Sequence, residues 1–140
     1  MSRLVVDASV VAKLFFEEEY SDASASIVRG ASGLAAPELM WAEFGNVAWK
    51  RHGRGQLTTE QAMTAIREAL RLPIDAVPIT DLLERAMEIA VTVQRTVYDS
   101  LYLVLAIERD CPFITGDRRL ANALARGPLA SRVRWIGGDV

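Results

Sequence analysis

Short apolar runs alternate along this chain with longer amphipathic ones, and that alternation restricts the fold more than any other feature. "LVV" precedes "ASVVAKLFF", "LAAP" precedes a helical stretch through "ELMWAEFGNVAWKR", and "IDAVPI" precedes "DLLERAMEIAVTVQR". "DSLYLVLAIER", "PFIT", "RRLANALAR" and "VRWI" complete the series. Strands separated by helices imply a mainly parallel sheet covered on both faces, because each helix supplies the crossover to the next strand. The expected fold class is α/β, a three-layer α/β/α sandwich.

The helical segments differ in character. Leu82, Ala86, Ile89 and Val93 recur on one helical face. "TTEQAMTAIREAL" opens on Thr58 or Thr59 as a cap and carries Ala62, Ile66, Ala69 and Leu70 along a stripe. The segment from Ser100 to Ile107 is apolar nearly all round, which predicts a helix buried in the middle of the molecule. Gly53 and Gly55 punctuate the third helix, and Gly127 with Pro128 ends the last one. With 140 residues and no repeat, low-complexity stretch or linker, residues 1–140 read as a single domain.

Composition removes several function classes. A hydrophobic share of 51% with 24% charged residues excludes a disordered chain. No apolar stretch approaches the roughly 20 residues of a membrane-spanning helix, and the start "MSRLVVDASVV" lacks the pattern of an export leader. A cytoplasmic protein with no membrane partner is expected. The single cysteine, Cys111, has no disulfide or zinc partner and reads as a small buried hydrophobe. A net charge of −2 argues against a protein that grips nucleic acid with its whole surface, although local patches stay possible. Lys13, Lys50, Arg51, Arg118 and Arg119 are the candidate phosphate contacts, and their alternative is a solvated face. The acidic run Glu17, Glu18 and Glu19 reads as a solvated loop.

Acids mark the junctions. Asp7 follows "LVV", Asp117 follows "FITG", and Asp99 begins the buried helix, while Glu43 lies mid-helix between Trp41 and Phe44 with Asn46 and Lys50 on its face. Singly, each aspartate is explained as a helix cap and Glu43 as a surface residue. Jointly, topology brings them together, since residues just past the carboxyl ends of parallel strands line one crevice. Carboxylates gathered in a partly dry cleft repel one another and need a cation. Hard oxygen donors, with His52 among basic residues and Cys111 isolated, select Mg²⁺ or Mn²⁺ over zinc or copper. Metal-assisted phosphodiester hydrolysis is the reaction such a site performs most naturally. Ser9, Asn46 and Thr115 stand close enough in sequence to these acids to support them from behind, although the hydroxyls serve equally well as local turn closers.

Four motifs in order, "VVDASV", "PELMWAEFGNVAWK", "TVYDSLYLVLA" and "FITGDRRLANA", carry a resemblance that runs nearly end to end. The chain resembles the PIN-domain ribonucleases, and within them the VapC toxins of toxin–antitoxin pairs. The resemblance implies a PIN-like sandwich in which Asp7, Glu43, Asp99 and Asp117 surround one or two divalent ions. It also implies an endoribonuclease, a hydrolase restrained by a cognate antitoxin. Some relatives carry a further acid two residues after the last aspartate; here that position is Arg119, which leaves one ion or two open. Both lines together predict that Asp7 and Asp99 bind the principal ion, that Glu43 and Asp117 complete its shell or a second ion's, and that metal-activated water cleaves RNA.

The first helices carry Val10, Val11, Leu14, Phe15 and Phe16, and the third carries Trp41 and Trp49. Core packing absorbs such groups by default; the surplus leaves either a homodimer face or a groove for an antitoxin helix, and the resemblance implies both. Two rivals use the same fold. A phosphoacceptor signalling domain wants paired acids at the first strand and a late lysine, whereas this chain has only Lys13 and Lys50. The other is a catalytically silent PIN-like module that binds protein or RNA.

Overall fold

The computed structural model describes residues 2–138. Strands β1 (Arg3–Val6), β2 (Gly33–Pro37), β3 (Ile74–Val77), β4 (Phe113–Thr115) and β5 (Val133–Trp135) form one sheet in the order β3-β2-β1-β4-β5. Every neighbouring pair is parallel. The helices are α1 (Ala8–Phe15), α2 (Ser21–Gly30), α3 (Leu39–Gly53), α4 (Thr59–Ala69), α5 (Leu83–Val93), α6 (Val97–Arg109) and α7 (Arg118–Leu124). The α/β/α class read from the alternating runs is the class observed.

Strand order locates the crevice. From β1 the chain steps to β2 and β3 on one side, then crosses back to set β4 and β5 on the other. Right-handed crossovers put α1 to α4 over one face and α5 with α6 over the opposite one. The reversal falls between β1 and β4, where Val5 pairs with Phe113 and Val6 with Ile114. Asp7 leaves the end of β1, and Asp117 follows the end of β4 by two residues.

Packing explains why these segments take these forms. Leu4, Val5 and Val6 are buried, as befits a central strand with helices on both sides. Helix α6 rests on β1, β2 and β4, and its residues Ser100 to Ala106 are all buried, the all-round burial that its apolar sequence demands. Phe44 of α3 gathers the aromatic residues of α1, with Phe15 edge-on at 5.6 Å and Phe16 stacked at 6.1 Å. Phe16 is thereby buried and Phe15 partly so. Trp49, by contrast, is 65% exposed, and a second set of exposed apolar residues, Leu83, Met87 and Val91, steps along α5 every four residues.

Three local readings are resolved or corrected by the backbone. Thr58, not Thr59, caps α4, in a reciprocal pair with Gln61. Asp99 does not begin its helix: Thr96 does, its hydroxyl accepting the Asp99 amide at 3.1 Å, so Asp99 sits in the first turn with its carboxylate free of capping. Glu18 is not a freely solvated loop residue, because it pairs with Lys13 at 3.2 Å and with Arg51 at 2.6 Å across 33 positions. Among the described residues, no helix is long and apolar enough to cross a membrane.

Leu103 is fully buried on α6, so Leu103→Ala should cost about 2–5 kcal/mol through lost burial and an unfilled cavity. Leu70→Ala, at a position 57% exposed, should cost less than about 0.5 kcal/mol. Urea denaturation of both variants measures the contrast.

Candidate active site

A cavity of about 440 Å³ opens at the carboxyl end of β1 and is lined by Asp7, Ser9, Glu43, Asn46, Lys50, Asp99, Tyr102 and Asp117, with Phe113 and Leu120 among its apolar walls. The four acids come from four places: the end of β1, the middle of α3, the first turn of α6 and the start of α7.

Asp7 is the most constrained of them. Its Oδ1 caps α1 by accepting the amides of Ser9 at 3.0 Å and Val10 at 3.3 Å, and it also accepts the Ser9 hydroxyl. Its Oδ2 accepts the Thr115 hydroxyl at 2.6 Å, a bond between residues 108 positions apart. The Ser9 oxygen in turn accepts the Gly116 amide at 2.7 Å, and the Thr115 oxygen accepts the Asp117 amide at 3.0 Å. Two hydroxyls thus bolt the α1 junction to the β4–α7 junction. Gly116 belongs to this arrangement, because a Cβ there would lie 3.0 Å from Ser9 Oγ and 3.1 Å from Lys13 Cε.

Burial raises the proton affinity of Asp7, and the bonds from Ser9 and Thr115 offset only part of that effect. Glu43 is raised as well, first by burial and then by the charges of Asp7 and Asp99, while the Tyr102 hydroxyl donated to its Oε1 works the other way. The Tyr102 phenol, stacked on Phe113 at 5.1 Å, is held far above its ordinary range by burial and by Glu43, so it stays a proton donor. Asp117 caps α7 through the amides of Arg119 at 3.0 Å and Leu120 at 3.2 Å. Asp99 pairs with Arg95 at 3.3 Å.

The donor set suits a hard dication: four carboxylates and one amide on a single cavity, with like charges already repelling one another at Glu43. The carboxylates do not form a finished cage. Among the described residues, no three acids or other metal-ligating side chains are close enough to hold an ion as they stand. Each carboxylate is instead turned toward its own internal donor. A dication that keeps several of its waters needs only one or two direct carboxylates, so the fit is one of chemistry and placement.

The PIN domain family model matches residues 4–124, most of the chain. The chain belongs to the PIN-domain family. It is 32% identical over 122 residues to Ribonuclease VapC3 of Pyrobaculum aerophilum, covering 86% of this chain and 93% of the relative. It is 36% identical over 128 residues to Ribonuclease VapC1 of Mycobacterium tuberculosis, covering 88% and 92%. A toxin–antitoxin complex from Klebsiella pneumoniae shares the fold at a TM-score of 0.65, with 15% identity over 97% of this chain and 99% of that one. Within the PIN-domain family, the chain groups with the VapC proteins.

In this PIN domain, Asp7, Ser9, Glu43, Asn46, Lys50, Asp99 and Asp117 share the cavity, and Thr115 supports it from a fully buried position behind Asp7. Of the basic residues read as phosphate contacts, Lys50 alone lines it. Lys13 and Arg51 are engaged with Glu18, Arg51 also lying 4.7 Å over the Phe16 ring. Arg118 lies 4.8 Å over Trp135, and Arg119 lines a separate hollow with Arg126. Two residues escaped the sequence reading. Tyr102 sits one helical turn after Asp99 on the same face, a spacing that could have revealed it; Arg95 precedes Asp99 by four positions, the ion-pair spacing of a helix, though it lies just before the helix starts.

Folding raises the proton affinity of Asp7 above its ordinary 3.8 and of Glu43 above 4.5, so in that window the folded metal-free chain binds more protons than the unfolded chain. Stability therefore falls as pH rises through the window. In chelator-treated protein, wild type should gain thermal stability relative to Asp7→Asn as pH is lowered from about 8 toward about 4. A difference that stays flat over the range contradicts the assignment.

Proposed function

We propose that this PIN-domain protein is a divalent-metal-dependent endoribonuclease and the toxin of a toxin–antitoxin pair. The observation that carries the reading is the meeting of Asp7, Glu43, Asp99 and Asp117 on one cavity at the switch point of a parallel sheet. The relatives named Ribonuclease VapC support RNA as the substrate. Asp7 and Asp99 would hold Mg²⁺ or Mn²⁺, with Glu43 and Asp117 completing its surroundings. The ion would polarise the phosphate, lower the pKa of a water and balance charge on the leaving oxygen.

The chain's own residues do the positioning. Ser9, Thr115 and two backbone amides hold Asp7 in one orientation, leaving its carboxylate little freedom to follow a ligand. Tyr102 holds Glu43. Lys50 supplies a cation on the wall for a flanking phosphate, and Asn46 a neutral donor and acceptor. No side chain in this arrangement need act as a covalent nucleophile.

Two surfaces suit the expected partners. A hollow of about 320 Å³ between the end of α1 and α4 has Phe15, Phe16, Leu57 and Ala65 on its apolar lining and Glu60 and Glu68 beside them. An antitoxin helix with apolar and basic side chains complements it. The Klebsiella pneumoniae toxin–antitoxin complex supports an antitoxin partner. The exposed Leu83, Met87 and Val91 of α5 are the apolar stripe available to a homodimer.

Asp7→Asn should lower RNA cleavage by at least about a hundredfold while the circular dichroism spectrum keeps its wild-type form. Chelation should abolish wild-type cleavage, and added Mn²⁺ or Mg²⁺ should restore it. Wild-type protein that binds RNA but never cuts it, with either ion present, would favour the silent binding module instead.

A further inference from the structure

Arg95 stands between α5 and α6 in a way the proposed chemistry leaves unexplained. The junction is tight: Gln94 closes α5 in the left-handed region at φ 56°, and Thr96 already caps α6, which fixes the backbone on both sides of Arg95. The guanidinium reaches Asp99 through Nη2 at 3.3 Å, and both side chains are partly exposed. Its Nε is buried and has no hydrogen-bond partner. A surface arginine with a free choice would keep that donor wet. The guanidinium faces the Asp99 carboxylate instead.

Asp99 is also the only one of the four cavity acids that is ion-paired among the described residues. The other three are satisfied by hydroxyls and backbone amides, which carry no net charge. We propose that Arg95 is a placeholder cation: it occupies Asp99 when no dication is bound, and a dication must displace it. The inference rests on the reading of Asp99 as a metal ligand. Its physical content is competition. A guanidinium bound to one carboxylate oxygen blocks that oxygen until it is displaced, so the chain binds its ion more weakly than the four acids alone would allow. Arg95 is in this sense a positioning residue that acts through Asp99 and touches neither substrate nor ion.

Mn²⁺ binding measured by calorimetry and by the loss of the free-ion paramagnetic resonance signal tests this without any cleavage assay. Arg95→Gln should tighten the Mn²⁺ Kd by about five- to tenfold, the size of a unit-charge attraction at 3.3 Å screened nearly as in bulk water. Arg95→Lys keeps the charge and should stay within about twofold of wild type. An unchanged or weakened Kd in Arg95→Gln overturns the proposal. Asp99→Asn reports separately on the underlying reading: it should weaken Mn²⁺ binding, and wild-type affinity in that variant would remove Asp99 as a ligand. In the double variant the gain from Arg95→Gln should vanish. A gain that persists there also overturns the proposal, because the arginine would then act on the ion without Asp99.

Discussion

The buried carboxylate of Asp7 is the constraint on which the rest of this molecule depends. It sits at the end of the central strand, where water is excluded and an unaided charge is costly. Ser9 and Thr115 meet that cost from opposite sides, one from the helix that follows β1 and one from the neighbouring strand β4. The same two oxygens then receive the amides of Gly116 and Asp117. A single charge therefore organises the contact between the two chain crossings that frame the cavity. Parallel order of β1 and β4 follows from packing; the close fit of their carboxyl ends follows from this small polar network.

Around that fixed point the other acids are held with less rigidity. Glu43 leans on one phenol, Asp99 on one guanidinium, and Asp117 on the first amides of its own helix. The gradient is chemically useful. One carboxylate sets a reference position; Glu43 and Asp99 can rotate toward a ligand by giving up a single partner each, and Asp117 by giving up its two cap amides.

Much of this was legible in the sequence. The buried α6 follows from a segment with no polar face, and the crevice follows from acids placed after strand-like runs, since topology alone sends those positions to one end of the sheet. Thr96 was not read as the cap because Asp99 is an equally good capping residue, and local preference cannot rank the two. The fate of the arginines was hidden for a different reason. Whether Arg51 faces a phosphate or Glu18, and whether Arg118 faces solvent or Trp135, depends on neighbours 33 and 17 positions away. Tyr102 joined Glu43 across 59 positions, which no helical spacing encodes by itself.

The bond between Thr115 and Asp7 spans 108 positions of a 140-residue chain. During synthesis, therefore, the first strand emerges long before the hydroxyl that will hold its terminal acid. Up to that moment Asp7 has hydrogen-bond donors only from its own helix, and β1 has an open edge where β4 will lie. The cavity is completed only when β4 and the start of α7 have been made, so a nascent polypeptide lacking them has not yet brought its four acids together.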